Sequence, residues 1–215
     1  MSRARVVLAD DHTIVLDGLR RILETSFDLV GMAHDGRELV EQVRTLDPDV
    51  AVVDISMPVL NGLDAFRQCK EAQFRTRFVF LTASPDIALA TQAFRLGANG
   101  YVLKQAASEE LVTAIREALN GRTYITPRIA NDVMQNMMAG GAGSSSSGPA
   151  LTMREREVLQ LLAEGRSLKE AAAVLSVSPR TIEFHKNNIA EKTGLKTMAE
   201  LARYAVRQGL VSDET

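Results

Sequence analysis

Val50-Ala51-Val52-Val53-Asp54 is a run of four apolar residues, three of them valine, closed by a carboxylate. β-Branched residues with no polar alternation fit a strand buried on both faces, as in a parallel sheet covered by helices. Working outward, Val6-Val7-Leu8-Ala9, Leu29-Val30-Gly31-Met32-Ala33, Phe78-Val79-Phe80-Leu81 and Gly100-Tyr101-Val102-Leu103 are similar short runs. Helical patterns lie between them. Val15, Leu19, Ile22 and Leu23 fall on one face, as do Leu39, Val43 and Leu46. Ser84-Pro85-Asp86 predicts a helix start with Ser84 as N-cap and Pro85 at the first position, and Gly97 predicts its end. Ser108-Glu109-Glu110 predicts the opening of the last helix, with acids at the positive end of its dipole. The expectation is an α/β fold, a doubly wound five-stranded parallel sheet over residues 4–120. Such folds place their site at the carboxyl ends of the strands.

What stands at those ends is chemically specific. Asp10 and Asp11 follow the first strand, Asp54 ends the third, Thr82 the fourth, and Lys104 follows the fifth. Singly, each has a simpler role: Asp10-Asp11 could cap a helix before Thr13, Asp54 could cap a loop, and Lys104 could be a solvated surface lysine. Together, at successive strand ends, they form one pocket. Three carboxylates gathered there raise one another's pKa, and a hard divalent cation such as Mg²⁺ relieves the repulsion. Lys104 and Thr82 then offer a cation and a hydroxyl to phosphoryl oxygens, which leaves Asp54 as the nucleophile for an aspartyl-phosphate.

A second region follows a change of composition. Ala139-Gly-Gly-Ala-Gly-Ser-Ser-Ser-Ser-Gly-Pro149 offers almost nothing to bury. It reads as a flexible tether with an r.m.s. reach of about 18 Å. Residues 121–150 are accordingly assigned to a linker with a short helix and this tether, and residues 151–215 to a small all-α domain. Thr152…Glu155, Ser167…Glu170 and Thr197…Glu200 are three capping-box patterns ahead of amphipathic runs. Leu168 to Leu175, a tight turn at Ser176-Val177-Ser178, and a helix from Pro179 to Thr193 with Ser178 as N-cap have the form of a helix-turn-helix. Ile182 and Ile189 should face a core with Ala172 and Leu175. Arg180, Thr181, Glu183, Lys186, Asn187, Asn188 and Lys192 occupy the other faces and suit phosphates and base edges. Glu183 is the least expected of these: it would repel phosphates unless it is solvent-exposed or accepts from a cytosine amino group.

The bulk numbers are compatible with both regions. Net charge is −2 over 215 residues, which alone argues against a nucleic-acid binder. It divides into −3 for residues 1–137 and +1 for residues 151–215. The N-terminus shows no signal peptide, no apolar run is long enough for a membrane span, and a lone Cys69 suits a reducing cytoplasm. His12, His34 and His185 show no zinc-ligand spacing.

Residues 4–120 resemble the receiver domain of bacterial two-component response regulators, a flavodoxin-like fold. The resemblance rests on Leu8-Ala9-Asp10-Asp11-His12, on Asp54-Ile55-Ser56-Met57-Pro58-Val59-Leu60-Asn61-Gly62, on Leu81-Thr82-Ala83, and on Gly97-Ala98-Asn99-Gly100-Tyr101-Val102-Leu103-Lys104. It implies a phosphoprotein in which Asp54 is phosphorylated by a sensor histidine kinase. Asp11, Asp54 and the Ser56 carbonyl would bind Mg²⁺ with Asp10 helping through water, and Thr82 and Tyr101 would form a switch pair. Haloacid-dehalogenase-like phosphatases, the rival enzyme class, use a D-x-D pattern; here the residue two past Asp54 is Ser56, so their general acid is missing. Leu151-Thr152-Met153-Arg154-Glu155-Arg156-Glu157-Val158-Leu159 and Ser178 to Ile189 resemble the LuxR-type DNA-binding domain, and the whole chain resembles the NarL/FixJ class. That adds Lys169, Ser178, Phe184 and His185 to the candidate DNA contacts. It also implies a transcription regulator, not an enzyme, that binds promoter DNA as a homodimer when phosphorylated, with RNA polymerase a partner such a regulator admits.

Overall fold

The computed structural model describes residues 3–139 and 151–211; the tether expected at 139–149 lies, from residue 140 onward, outside the described residues. Five parallel strands form as expected: β1 (Arg5–Ala9), β2 (Asp28–Ala33), β3 (Val50–Asp54), β4 (Arg77–Thr82) and β5 (Gly100–Leu103). A sixth, β6 (Tyr124–Ile125), pairs with the free edge of β5, so the sheet has six strands in the order 2-1-3-4-5-6. The sequence reading gave five. Two residues are too few to show a period, and β6 exists because the edge of β5 offers partners: Tyr124 N–H donates to Asn99 O and Thr126 N–H to Tyr101 O, both at 3.0 Å.

Helices α1 (Thr13–Leu23) and α5 (Ala107–Leu119) cover one face of the sheet; α2 (Gly36–Leu46), α3 (Gly62–Glu71), α4 (Ile87–Leu96) and α6 (Pro127–Met138) cover the other. A 3₁₀ turn at Lys104–Ala106 leads into α5. Helix α6 buries Ile129 and Val133 against the sheet-and-helix core, so residues 121–139, read from the sequence as linker, carry two elements packed on the receiver. Cys69 is also buried in this core, and burial pushes its thiol pKa up to about 12.

The start of α4 differs from the sequence reading. Asp86, not Ser84, is the N-cap, because its carboxylate accepts from both Ala88 N–H and Leu89 N–H, at 2.8 and 3.0 Å. An ionised acceptor at the positive end of the helix is a stronger cap than a hydroxyl. Gly97 ends α4 in the left-handed region, as expected.

The C-terminal region is α7 (Met153–Ala163), α8 (Leu168–Val174), α9 (Pro179–Thr193) and α10 (Met198–Arg207) around a core of its own. All three capping boxes form, on α7, α8 and α10. Ile182, Ile189, Ala172 and Leu175 are buried together.

Gly62 opens α3 where the chain doubles back on β3. A Cβ there would lie 2.1 Å from Asp54 O, and backbone cannot move aside as a flexible side chain could. Gly62→Ala is therefore expected to cost about 3 kcal/mol, read as a lower midpoint in urea unfolding with an unchanged slope.

Candidate phosphoacceptor pocket and DNA-reading helix

The fold brings the strand-end residues together. Asp54 and Asp10 are buried, at 4% and 1% exposure. Lys104 reaches across the sheet end to both: its Nζ lies 2.6 Å from Asp10 Oδ2 and 2.9 Å from Asp54 Oδ2. Burial raises the Asp54 pKa, and Lys104 opposes that rise. Burial works to lower the Lys104 pKa, but Asp54 and Asp10 outweigh it and the net direction is up. The neighbouring carboxylates thus favour the charged ammonium, while burial works against the charged form of Asp54.

Asp11 is at the rim. His12 follows it, with Nδ1 2.8 Å from Asp11 Oδ1 and 3.3 Å from Asp10 Oδ1. One ligand atom from each of Asp10, Asp11, His12 and Asp54 can be chosen so that all lie within 4.8 Å of one another. The sequence reading named the three acids and not His12, which shows no metal-ligand spacing and joins them only through the turn after β1. Thr82 ends β4, buried, and its Oγ1 accepts from Ser84 N–H at 3.3 Å. Tyr101 is fully buried, its hydroxyl 3.5 Å from Asp86 O, and burial raises its pKa.

On α9 the exposed residues are Pro179, Arg180, Glu183, Phe184, Asn187, Glu191 and Lys192, of which Arg180, Glu183, Phe184, Asn187 and Glu191 form a stripe at i, i+3, i+4, i+7 and i+11. This stripe lies opposite Ile182 and Ile189. Phe184 is 60% exposed, and its ring meets His185 edge-on at 5.6 Å. Thr181, His185, Lys186 and Asn188 flank the stripe and are half-buried, while Lys169 on α8 is exposed. Ser178 is engaged as the N-cap, accepting from Thr181 N–H. Lys192 is held within the domain, its Nζ 2.6 Å from Glu155 Oε2 of the α7 capping box. That ion pair links α9 to α7.

The two regions dock through α7. Gln160 is 1% exposed. Its Oε1 accepts from Asn61 N–H at 2.9 Å, and its Nε2 donates to Met57 O at 2.9 Å, both in the loop just after Asp54. Arg156 Nε donates to Asp64 Oδ1 and Oδ2 at 2.9 and 3.0 Å, and Gln68 Nε2 to Glu157 Oε1 at 2.7 Å. Val59 in the same loop has φ +68° and packs against the helical core, while its N–H donates to Glu164 Oε1 at 3.0 Å. A β-branched residue in that region is strained, and the docked helices hold it there. None of these contacts was visible in the sequence, because each joins residues about 100 positions apart on polar side chains with no motif.

The description "Response regulator receiver domain" matches residues 6–116, and "Bacterial regulatory proteins, luxR family" matches residues 149–205. The chain belongs to the response regulators of the NarL/FixJ class, which join a receiver domain to a LuxR-type helix-turn-helix, and it is a transcriptional regulator and not an enzyme. Among its relatives, the transcriptional regulatory protein MctR of Rhizobium johnstonii is 37% identical over 98% of this chain and 96% of its own. The oxygen regulatory protein NreC of Staphylococcus aureus is 36% identical over 96% of this chain and 99% of its own. A structure of the Salmonella typhimurium RcsB response regulator, described by its conformational dynamism for DNA interaction, superposes with a TM-score of 0.62 at 29% identity. It covers 95% of this chain and 97% of that one. Among the described residues no helix is long and apolar enough to cross a membrane.

Proposed function

We propose that Asp54 takes a phosphoryl group from a sensor histidine kinase in the cytoplasm, and that this switches the chain from the docked form to a DNA-binding homodimer. The observation that carries the reading is Lys104 Nζ bridging Asp10 and Asp54 at the strand ends. An Asp54 oxygen forms a bond to phosphorus as the bond from phosphorus to the donor's imidazole nitrogen breaks, and the departing imidazole takes up a proton. Lys104 and Thr82 would meet the new phosphoryl oxygens. The clustered carboxylates, with the Ser56 carbonyl, suit a hard cation, and Asp10, Asp11, Asp54 and Ser56 would hold Mg²⁺. When bound, Mg²⁺ supplies positive charge to the transferring phosphoryl group.

A dianion at Asp54 competes for Lys104 and Thr82, and Thr82 neighbours Tyr101. The same dianion sits at the head of the loop that carries Met57, Val59 and Asn61, the docking site of α7. Loss of docking frees the helical domain to pair with a second copy. The Arg180–Asn187 stripe is already exposed in the docked form, so pairing is the controlled step. Two domains on one site gain affinity by effective concentration, which a domain of net charge near +1 needs. RcsB's interaction with DNA supports the nucleic-acid half of this reading.

Sedimentation of phosphorylated protein on its operator should show two chains per site, with half-sites about one DNA turn apart. A tight one-to-one complex would count against the dimer. Arg180→Ala should weaken binding: by about 1–3 kcal/mol at one base position if it reads guanine, or evenly across sequences with a salt slope lower by about one if it meets a phosphate. Affinity measured at several salt concentrations separates the two. Unchanged affinity in both Arg180→Ala and Asn187→Ala would sink the recognition-stripe assignment.

A further inference from the structure

Asp64, 1% exposed at the start of α3, accepts from three side chains. Arg67 Nη1 lies at 2.7 Å, Arg156 Nε at 2.9 and 3.0 Å, and Asn61 Nδ2 at 2.9 Å. Two guanidiniums therefore share one buried carboxylate, and Glu71 is the further anion acting on Arg67. Arg156 Nη2 is buried and has no hydrogen-bond partner among the described residues. An unpaired buried donor on a cation is costly, and natural structures seldom leave one so. Burial first, and then the neighbouring Arg156 charge, lower the Arg67 pKa. Asp64 and Glu71 oppose that shift.

From this triad a cleft of about 490 Å³ opens between the two domains. Arg67 and Arg156 line it from α3 and α7, Arg95 from α4 and Arg207 from α10. Two acids also face it, Glu71 and Asp86. Asp86 is already committed to capping α4 with two backbone N–H groups. Glu71 is exposed at the end of α3. Four arginines against those two acids and the shared Asp64 leave the cleft cationic.

We propose that this cleft binds a small phosphorylated anion, a phosphate or diphosphate group, with Arg67 and Arg156 at its inner end and Arg95 and Arg207 at its mouth. Planar guanidiniums are suited to phosphate oxygens. The cleft walls come from both domains, so the ligand binds the docked form and not the released one. Mass action then makes it a brake on release, acting at a distance from Asp54. The inference rests on the docked arrangement and not on the phosphoacceptor reading.

The test is calorimetric titration of the full chain, without Mg²⁺, using pyrophosphate, inorganic phosphate and adenosine diphosphate as separate probes. Arg95 and Arg207 are exposed, so truncating them leaves the fold intact. One site per chain is expected for pyrophosphate, at least about tenfold weaker in Arg95→Ala and in Arg207→Ala, since each removes a charge-assisted contact of about 1.4 kcal/mol. Binding should be unchanged in Arg180→Ala. Amide exchange in α4 and α10 should slow with ligand in the wild type. Tighter binding of adenosine diphosphate than of pyrophosphate would assign the phosphate to a nucleotide; equal binding would assign it to the phosphate groups alone. Absence of binding by all three probes up to roughly 10 mM overturns the proposal. So does binding that survives both arginine truncations, or that is lost in Arg180→Ala or Lys104→Ala, since the anion would then sit elsewhere.

Discussion

Asp54→Asn protein, incubated with Mg²⁺ and a small acyl phosphate, gains no phosphoryl group by intact mass, while the wild type gains one. The expected effect is complete, because the amide oxygen is a poor nucleophile and carries no charge to hold Lys104 or a metal. Asp10 and Asp11 do not substitute. Asp10 is already engaged by Lys104 Nζ at 2.6 Å and by His12 N–H at 2.9 Å, and Asp11 sits at the rim beside His12. Phosphate-dependent dimerisation on DNA should vanish in the same variant. Stoichiometric phosphorylation of Asp54→Asn would move the acceptor to another residue.

Arg156→Ala is expected to release the helical domain without any phosphoryl group. Arg156 supplies a two-oxygen contact to buried Asp64, and truncating one partner of such a pair costs about 2–5 kcal/mol at an interface. Arg67 and Asn61 still hold Asp64, so the low end applies. About 2 kcal/mol shifts the ratio of docked to released chains roughly thirtyfold. Gln160→Ala should act in the same direction, since it leaves Met57 O and Asn61 N–H unpaired at the interface. Small-angle scattering should show a larger radius of gyration, and unphosphorylated protein should bind operator more tightly. Neither side chain is part of the Ile182–Leu175 core, so the helical domain should keep its own unfolding midpoint. A variant pair with wild-type scattering and wild-type operator binding would show that this contact does not restrain the domain.

The strands were legible because the middles of β1, β3 and β4 are buried on both faces and therefore apolar. The pocket was legible for a related reason: in a parallel sheet the carboxyl ends converge, so Asp10, Asp54, Thr82 and Lys104 could be assembled from their positions after each run. The helix caps at Thr152, Ser167 and Thr197 were also readable, since a capping box is a local hydrogen-bond pattern within four residues. Cap choice at α4 was less so: Ser84 and Asp86 both qualify, and the stronger acceptor won.

The sequence by itself determined the class of the protein, its two folded regions and the gathering of Asp10, Asp54 and Lys104, because those depend on local periodicity and on strand ends that topology forces together. The tertiary structure alone decided three things. It showed that Tyr124–Ile125 extends the sheet, an outcome set by the free edge of β5. It exposed Arg180 and Asn187 on α9 and tied Lys192 to Glu155. And it joined Arg156 to Asp64 and Gln160 to Met57 and Asn61. Polar side chains carry no period, and whether one meets solvent, a neighbour or a ligand depends on what the whole chain brings beside it.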